Sequence, residues 1–540
     1  MTENRSKPAA RSLGDLLEAY RRRTFVGREH ALAEAEALLA GQVDSPYLFF
    51  HGPGGIGKTT LLQRVHQLAV RRGVPVIQLD GRLLTPAPQA LRDALETPLR
   101  ALGRRGPALV LLDTCEYLEP VLGWLYNELL PGLDPRVRVI AAGRVAPEGV
   151  PAVALDELSD AQARHYLAGR EVPPDHAERI LAYTGGHPLA LAMACDLTGR
   201  DNAWPPAPDT SEITTELARR MLREATDAPQ SRALRAAALV RAISPGLLSR
   251  MLPDDDGPAL FDWLAGLSCI EAGSDSLIMH DIARAAIAGD FRERAPQLHE
   301  LLCRRAEDHY REQLSGADAA AALRAVQEVS FLSRDLPMMR SMLELIAQSS
   351  AYPDAPHPGD VEILANRIEH FQGTAQRRCF EYWQARQPGG LTVFREARGE
   401  PAGCALVLAV EGLDDADTSN DTIVDAYRRR VRQLGLSTGS QASLIRFWLD
   451  AEQHLAPSAV QAHTLSLTVA VAAAQPSTAF MGLLESDAPA TRAMAELAGH
   501  EILEVSPSHL GDTPVVITLH DWRQESVLDW LIRTNRSARM

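Results

Sequence analysis

The sequence predicts a multidomain α/β chain: a parallel sheet covered on both faces, then a helical region with one small strand pair, then an α+β region. Three observations carry this. Short apolar runs alternate with segments of helical periodicity over residues 24–153, helical periodicity dominates from 154 to 350, and two helical segments lead into a hairpin after 361. The length of 540 residues exceeds what one core organises, at roughly 150 residues per domain.

The segments follow in order. Residues 1–23 form a polar arm. Phe25-Val26-Gly27-Arg28-Glu29 leads into HALAEAEALLAG, whose apolar spacing predicts a helix ending at Gly41. Tyr47-Leu48-Phe49-Phe50 reads as a strand, followed by a Gly-rich turn from His51 to Gly57 and the helical pattern TTLLQRVHQLAVRRG. Further strands are predicted at 75–80, 108–113 and 136–142, with helices between, which completes a domain over 24–153. A small helical domain is expected at 154–200, a Pro-rich linker (DNAWPPAPD) at 201–209, and a further domain at 210–295 with a strand pair turning near Ala272-Gly273-Ser274. A helical segment at 296–350 and a linker, AYPDAPHPGD, at 351–360 precede the last domain, 361–540.

Composition narrows the function. An apolar fraction of 46% with 23% charged residues excludes disordered and fibrous classes. The net charge of −15 argues against coating nucleic acid or anionic membrane through bulk charge, and leaves a local basic patch open. Cys115, Cys195, Cys269, Cys303, Cys379 and Cys404 are widely spaced with no C-x-x-C pair, as expected of buried thiols in a reducing compartment. The N-terminus has no apolar signal-peptide core, and no run of about 18 apolar residues occurs, so a cytoplasmic protein without a membrane span is expected. Lys7 and Lys58 are the lysines, every other basic residue being Arg.

Lys58 stands in Gly52-Pro53-Gly54-Gly55-Ile56-Gly57-Lys58-Thr59, which fills every defining position of G-x-x-x-x-G-K-[ST] between a predicted strand and helix. Such a loop turns backbone N–H groups toward a phosphate, the helix N-terminus adds its positive end, the lysine reaches the β- and γ-phosphates, and the threonine hydroxyl meets Mg²⁺. Asp113, closing the ALVLLD run, is placed to serve that Mg²⁺ as the Walker B carboxylate. Thr114 occupies the place of a second acid, so Glu116 is the candidate for positioning water, and hydrolysis is expected to be slow or absent. Arg144, after Ala141-Ala142-Gly143, is the candidate γ-phosphate sensor, a solvated loop Arg being the alternative.

These segments resemble the STAND class of signal-transduction ATPases, related to NB-ARC domains and AfsR-like regulators. FVGRE at 25–29, GPGGIGKTTL at 52–61, LVLLDTCEYL at 109–118, AAGR at 141–144 and GGHPLAL at 185–191 occur in that family's order, and Leu277-Ile278-Met279-His280-Asp281 is similar to its MHD motif. Over residues 24–290 the resemblance implies a P-loop NTPase sheet with a helical domain and a winged helix. It implies ATP or ADP with Mg²⁺ as ligand, contacted by Val26, Arg28, Gly52, Gly54, Gly55, Ile56, Gly57, Lys58, Thr59, Thr60, Pro188 and His280. Pro188 would meet the adenine side and His280 the β-phosphate of ADP. Lys58, Glu116 and Arg144 would carry catalysis; Thr59 and Asp113 would hold the metal. A switch follows: ADP locks a resting state, and ATP exchange on sensing a trigger opens it, often with homo-oligomerisation. The sequence carries no recognisable nuclease, NADase, protease or TIR-like effector, so an effector, if needed, would be a separate protein.

Residues 361–540 resemble the GNAT-type acetyltransferase fold, with helices at DVEILANRIEHF and AQRRCFEYWQARQ, a hairpin of 391–397 with 403–410, a central strand at 443–448, a strand at 479–484 and TRAMAELAGHEIL as the last helix with its turn. Where that family carries a Gly-rich pyrophosphate loop, this chain has Asp450-Ala451-Glu452-Gln453-His454-Leu455-Ala456-Pro457, without glycine and with two acids. A non-catalytic GNAT-like module for sensing or protein contact is therefore expected. The alternatives are an N-acetyltransferase regulated by an ATPase domain and a DNA-binding regulator using the winged helix. The Leu519-His520-Asp521-Trp522-Arg523 segment reads as an anchor in which Trp522 packs and Arg523 is paired, a ligand site being the alternative.

Overall fold

The computed structural model describes residues 25–84, 86–102, 107–197, 213–224, 228–272, 276–313, 319–396, 398–474 and 477–539. The polar arm, the 201–209 linker and the turn at 273–275 lie outside these. The chain divides into two compact units: Met1–Asp80, Arg104–Glu116 and Pro135–Leu302 form the first, and Gly81–Gly103, Tyr117–Asp134 and Cys303–Met540 the second.

The first unit is built on a five-stranded parallel sheet of β1 (Tyr47–His51), β2 (Val76–Asp80), β3 (Ala108–Asp113), β4 (Val137–Gly143) and β5 (Ala152–Ala154), ordered β2-β3-β4-β1-β5. β3 and β4 are apolar almost without alternation because both faces are covered. Residues two apart share a face, so Leu48 and Phe50, Leu109 and Leu111, and Ile140 and Ala142 form one wall. Against it pack α1 (Glu29–Leu39) through Ala31, Ala35 and Leu38, and α2 (Lys58–Arg71) through Leu61, Leu62, Val65 and Ala69. β5 is only three residues long, with Ala152 and Ala154 exposed, and it exists because β1 offers it a free edge. The connections carry α3 (Pro88–Leu102) and α4 (Glu119–Trp124), which cluster with the second unit.

Three helices follow β5: α5 (Asp160–Gly169), α6 (Pro174–Thr184) and α7 (Pro188–Asp196). Ser159 and Gln162 form a capping box at the start of α5. Gly185, at φ +58, stops α6. After α8 (Ile213–Glu224) come α9 (Ala228–Leu239), α10 (Pro245–Met251), α11 (Gly257–Ala265), the antiparallel pair β6 (Ile270–Ala272) and β7 (Leu277–Met279), and α12 (Asp281–Arg294). An isolated bridge joins Ile243 to Leu277, so a third extended segment borders the pair. Asp196 at the end of α7 accepts from Ser268 N–H (2.7 Å) and pairs with Arg170 (2.6 Å), tying the three-helix part to the segment before β6.

The boundary between units falls within α13 (Pro296–Gln313), and α14 (Ala319–Leu332) and α15 (Pro337–Ala347) continue the helical segment. The rest of the second unit runs β8 (Tyr352–Asp354), α16 (Asp360–Gln372), α17 (Thr374–Arg386), β9 (Leu391–Arg395), β10 (Pro401–Ala409), α18 (Asp415–Ser419), α19 (Thr422–Gln433), β11 (Gln441–Asp450), α20 (Ala459–Ala474), β12 (Thr478–Ser486), α21 (Pro489–Ala498), β13 (Glu501–Leu510), β14 (Thr513–Asp521) and α22 (Val527–Arg539). The seven strands order as β13-β14-β12-β11-β10-β9-β8, and β11–β12 is the parallel pair in an otherwise antiparallel sheet. Residues 351–360 are thus more than a linker, since Tyr352 and Pro353 are buried where β8 pairs with β9. TRAMAELAGHEIL is not the final helix either: α21 stops at Gly499, Glu501 to Leu503 already belong to β13, and α22 follows β14.

The core of this sheet holds Phe380, Trp383, Tyr427, Phe447 and Phe480. Two buried guanidiniums enter it paired with carboxylates, as burial of charge demands: Arg446 on Asp421 (2.8 Å), which also accepts from the Trp383 indole, and Arg395 on Asp354 and Asp360. Arg523 pairs with Asp521 (2.7 Å), and Trp522 packs edge-on against Trp530 with centroids 5.4 Å apart.

Candidate functional site

The loop Gly52–Gly57 leaves β1 at the carboxyl end of the sheet and runs into the N-terminus of α2. Strand order reverses here, β1 sending its chain to β2 at the far edge while β5 adds on the other side, and such a switch point opens a crevice. Gly55 (φ +77) and Gly57 (φ +98) take the left-handed backbone the turn needs.

What aims this loop is visible in its carbonyls. Lys58 Nζ donates to Gly52 O (2.7 Å) and Pro53 O (2.9 Å). His187 Nε2 bonds Gly54 O (3.1 Å), Leu189 N–H bonds Gly55 O (3.2 Å), and the Arg28 guanidinium bonds Ile56 O (2.9 Å). In a planar trans peptide the C=O and the following N–H point in opposite directions. Pinning the Gly54, Gly55 and Ile56 carbonyls from outside therefore turns the next amides toward the loop's concave side. With the N-terminus of the 14-residue α2, that is an anion cradle.

Lys58 is buried, and burial pushes its ammonium pKa down, while Glu116 and Asp113 draw it back up and Arg144 lowers it further. The sheet thus brings Lys58, Asp113, Glu116 and Arg144 to one place. Asp113 faces Asp80 in the β2–β3 register. Thr114, at φ +53, gives its N–H to Asp113 (2.8 Å) and its hydroxyl to Asp80 (2.5 Å), tying two strand-end carboxylates together instead of supplying a second acid. Arg144 Nε–H donates to Glu116 Oε1 (3.3 Å), so these two candidates are paired to each other; the other Glu116 oxygen is buried without a partner. Thr59 is half-buried on the first turn of α2 and Thr60 is exposed.

The remaining sequence candidates surround the loop. Arg28, left-handed at φ +72 ahead of α1, acts on the loop backbone through Ile56 O, and burial lowers its pKa. Val26 is half-buried. Pro188 is half-buried as the first residue of α7, between the two residues that touch the loop. A Cβ placed on Gly54 would lie 4.0 Å from His280 Cε1 and 3.3 Å from Ile282 Cδ1, so the start of α12 flanks the loop. Sequence reasoning missed Asp80, His187, Leu189 and Ile282. Asp80 was readable, as a carboxylate ending VIQLD in the manner of Asp113; His187 and Leu189 lie within the GGHPLAL segment, but their bonds to the loop, like the approach of Ile282, are set by packing and not by local pattern.

The residues fit a magnesium-bound phosphate. Amides, an α2 N-terminus and an ammonium face the cradle; Thr59 on the first turn of α2 and Asp113, near enough to draw the Lys58 pKa back up, offer hard oxygens beside it, with Asp80 opposite Asp113 on β2; magnesium characteristically takes one or two such ligands together with phosphate oxygens.

No helix among the described residues is long and apolar enough to cross a membrane. No family model and no curated protein matches the chain. Among solved structures it is similar to the Signal Transduction ATPase with Numerous Domains (STAND) protein with a tetratricopeptide repeat sensor from Pyrococcus horikoshii, at 14% identity and TM-score 0.40 over 66% of this chain and 61% of that one. The match spans less than two-thirds of that protein's length. It is also similar to the Aeropyrum pernix ORC1 protein, solved in complex with DNA (17% identity, TM-score 0.29, 53% of this chain and 97% of that one). A third is domain III of the Thermotoga maritima replication initiation protein DnaA (15% identity, TM-score 0.26, 37% and 96%). At these values the likenesses assign nothing by themselves, and the five-stranded parallel sheet with its phosphate loop fits a P-loop NTPase fold on its own residues.

Proposed function

We propose that this protein is an ATP/ADP-controlled switch of the STAND class. The observation that carries the reading is that the phosphate loop is bonded and flanked from several parts of the first unit at once: Arg28 ahead of α1 and His187 and Leu189 at the start of α7 bond its carbonyls, and His280 and Ile282 at the start of α12 lie beside Gly54. A ligand that rearranges the loop must then favour one placement of those parts over another, which is the physical requirement of a two-state switch. The α9–α10–α11 helices with β6, β7 and the Ile243–Leu277 bridge support the winged-helix reading of 210–295, which sets His280 at the loop as the ADP lock.

In this reading Lys58 exchanges its two carbonyl partners for the β- and γ-phosphates, Thr59 and Asp113 hold Mg²⁺, and Pro188 lies toward the base. Bound Mg²⁺ supplies charge neutralisation at the phosphate oxygens. Arg144 is drawn to a γ-phosphate and so releases Glu116 to orient water; while the two are paired, neither is set for hydrolysis, in keeping with a slow ATPase. Opening on a trigger, homo-oligomerisation and a separate effector belong to the same proposal.

The strand order of the second unit, with its parallel β11–β12 pair, supports the GNAT-like reading of 361–540. Two features support its being non-catalytic. The Asp450 carboxylate takes the amides of Glu452 (2.9 Å) and Gln453 (3.0 Å), using donors a pyrophosphate would need. β11 and β12 pair only from Gln441 to Ile445, and where they part the Trp448 indole donates to Leu484 O, bridging the gap.

The test is denaturing extraction of the purified protein followed by mass spectrometry of the released small molecules. ADP at near-stoichiometric yield is expected. Acetyl-CoA would overturn the non-catalytic reading of the second unit, and failure to take up added ADP with Mg²⁺ would overturn the switch.

A further inference from the structure

We propose that His187 is a positioning residue of the phosphate loop: its imidazole couples the N-terminus of α7 to the Gly54–Gly55 peptide and thereby aims the Gly55 amide at bound phosphate. The inference rests on the reading of this loop as a nucleotide site and adds a residue and a route by which α7 controls it.

The imidazole is used at both ends. Nδ1 accepts from Ala190 N–H (3.3 Å), capping the first turn of α7. A ring nitrogen that accepts carries no proton, so the neutral tautomer has its proton on Nε2, and Nε2–H donates to Gly54 O (3.1 Å). His187 is buried, and that burial lowers its pKa, which favours the neutral form the double contact requires. Because the Gly54 carbonyl and the Gly55 N–H share one planar trans peptide, holding the first outward fixes the second inward. The neighbouring Leu189 N–H to Gly55 O bond (3.2 Å) holds the next plane the same way. Contact is close: a Cβ on Gly55 would lie 2.8 Å from His187 Cε1 and 2.9 Å from Leu189 Cβ. A shift of α7 therefore withdraws His187 from the loop and frees the Gly55 peptide to rotate.

Two substitutions separate the two contacts. His187→Asn keeps a side-chain acceptor for the helix cap but is too short to reach Gly54 O, whereas His187→Gln keeps the reach and gives up the cap. Affinity is measured for ADP with Mg²⁺ and, in competition, for adenosine, which carries no phosphate. The expected result is that His187→Asn weakens ADP about 3- to 10-fold, the worth of one hydrogen bond, leaves adenosine unchanged, and that His187→Gln restores most of the ADP affinity. Equal loss for ADP and adenosine, or no loss for ADP in His187→Asn, would overturn the proposal, as would failure of His187→Gln to restore it. The underlying reading fails separately: if Lys58→Ala binds ADP as tightly as the unsubstituted protein, this loop does not hold phosphate.

Discussion

Gly55 offers the sharpest test of how α7 and the phosphate loop are fitted together, because Gly57, two residues on, is its natural control. Both sit at positive φ, +77 and +98, so alanine at either costs the left-handed strain of roughly 1–2 kcal/mol. Their surroundings differ. A Cβ on Gly57 meets nothing within 4 Å, whereas on Gly55 it falls 2.8 Å from His187 Cε1 and 2.9 Å from both Leu189 Cβ and Cδ2. The His187 ring can yield a little, but Leu189 Cβ is fixed to the backbone of α7, so the helix itself must move. Overpacking of this kind costs about 1–3 kcal/mol. The assay is amide hydrogen exchange in nucleotide-free protein, read at Leu189, whose N–H is bonded to Gly55 O. Relative to Gly57→Ala, Gly55→Ala is expected to speed that exchange about 5- to 150-fold, the equivalent of the overpacking energy. Equal protection in the two variants would refute the reasoning, since strain would then be the whole cost and the packing of α7 on the loop would contribute nothing.

Other outcomes follow from the same structure. Replacing His280 by Ala should speed ADP release about 3- to 10-fold, as expected for one hydrogen bond, and an unaltered off-rate in a fluorescent-ADP chase would return His280 to a packing role. Glu116→Gln should leave ATP bound but unhydrolysed; single-turnover rates equal to wild type would place the water elsewhere. In the second unit, burial pushes the imidazoles of His463, His500 and His520 down to about 4. Their folded pKa lies below the ordinary 6.5, so the unfolded chain binds more protons between those values. The stability they contribute is complete above about pH 6.5 and is lost as pH falls toward 4, at up to about 1.4 kcal/mol per pH unit for each histidine. Urea midpoints measured across that range should fall accordingly, and His463→Phe should flatten the slope by one proton's worth.

The parts of this protein that sequence made legible are those written in contiguous residues. The run Gly52 to Thr59 could be read whole because a phosphate loop needs a fixed spacing of glycines, a lysine and a hydroxyl along one turn. β3 and β4 could be read because strands buried on both faces are apolar throughout. β5 and β8, of three residues each, could not, since a strand that short exists only where a neighbour offers an edge. β13 was hidden for another reason: only Val505 and Leu510 of its residues are buried, so EILEVSPSHL carries no apolar alternation, and its pairing with β14 makes it a strand. In the site, Thr114 was read as a missing acid, yet its role is set by Asp80, 34 residues away.

Sequence alone thus determined the phosphate loop, the carboxylate that ends β3 and the α/β character of the chain, because each is fixed by local geometry and periodicity. Only the tertiary structure decided which donors hold the loop's carbonyls. Arg28 and His187 are respectively 28 and 133 residues from the atoms they bind, and a hydrogen bond across that separation depends on where the helices pack, which no short stretch of sequence encodes.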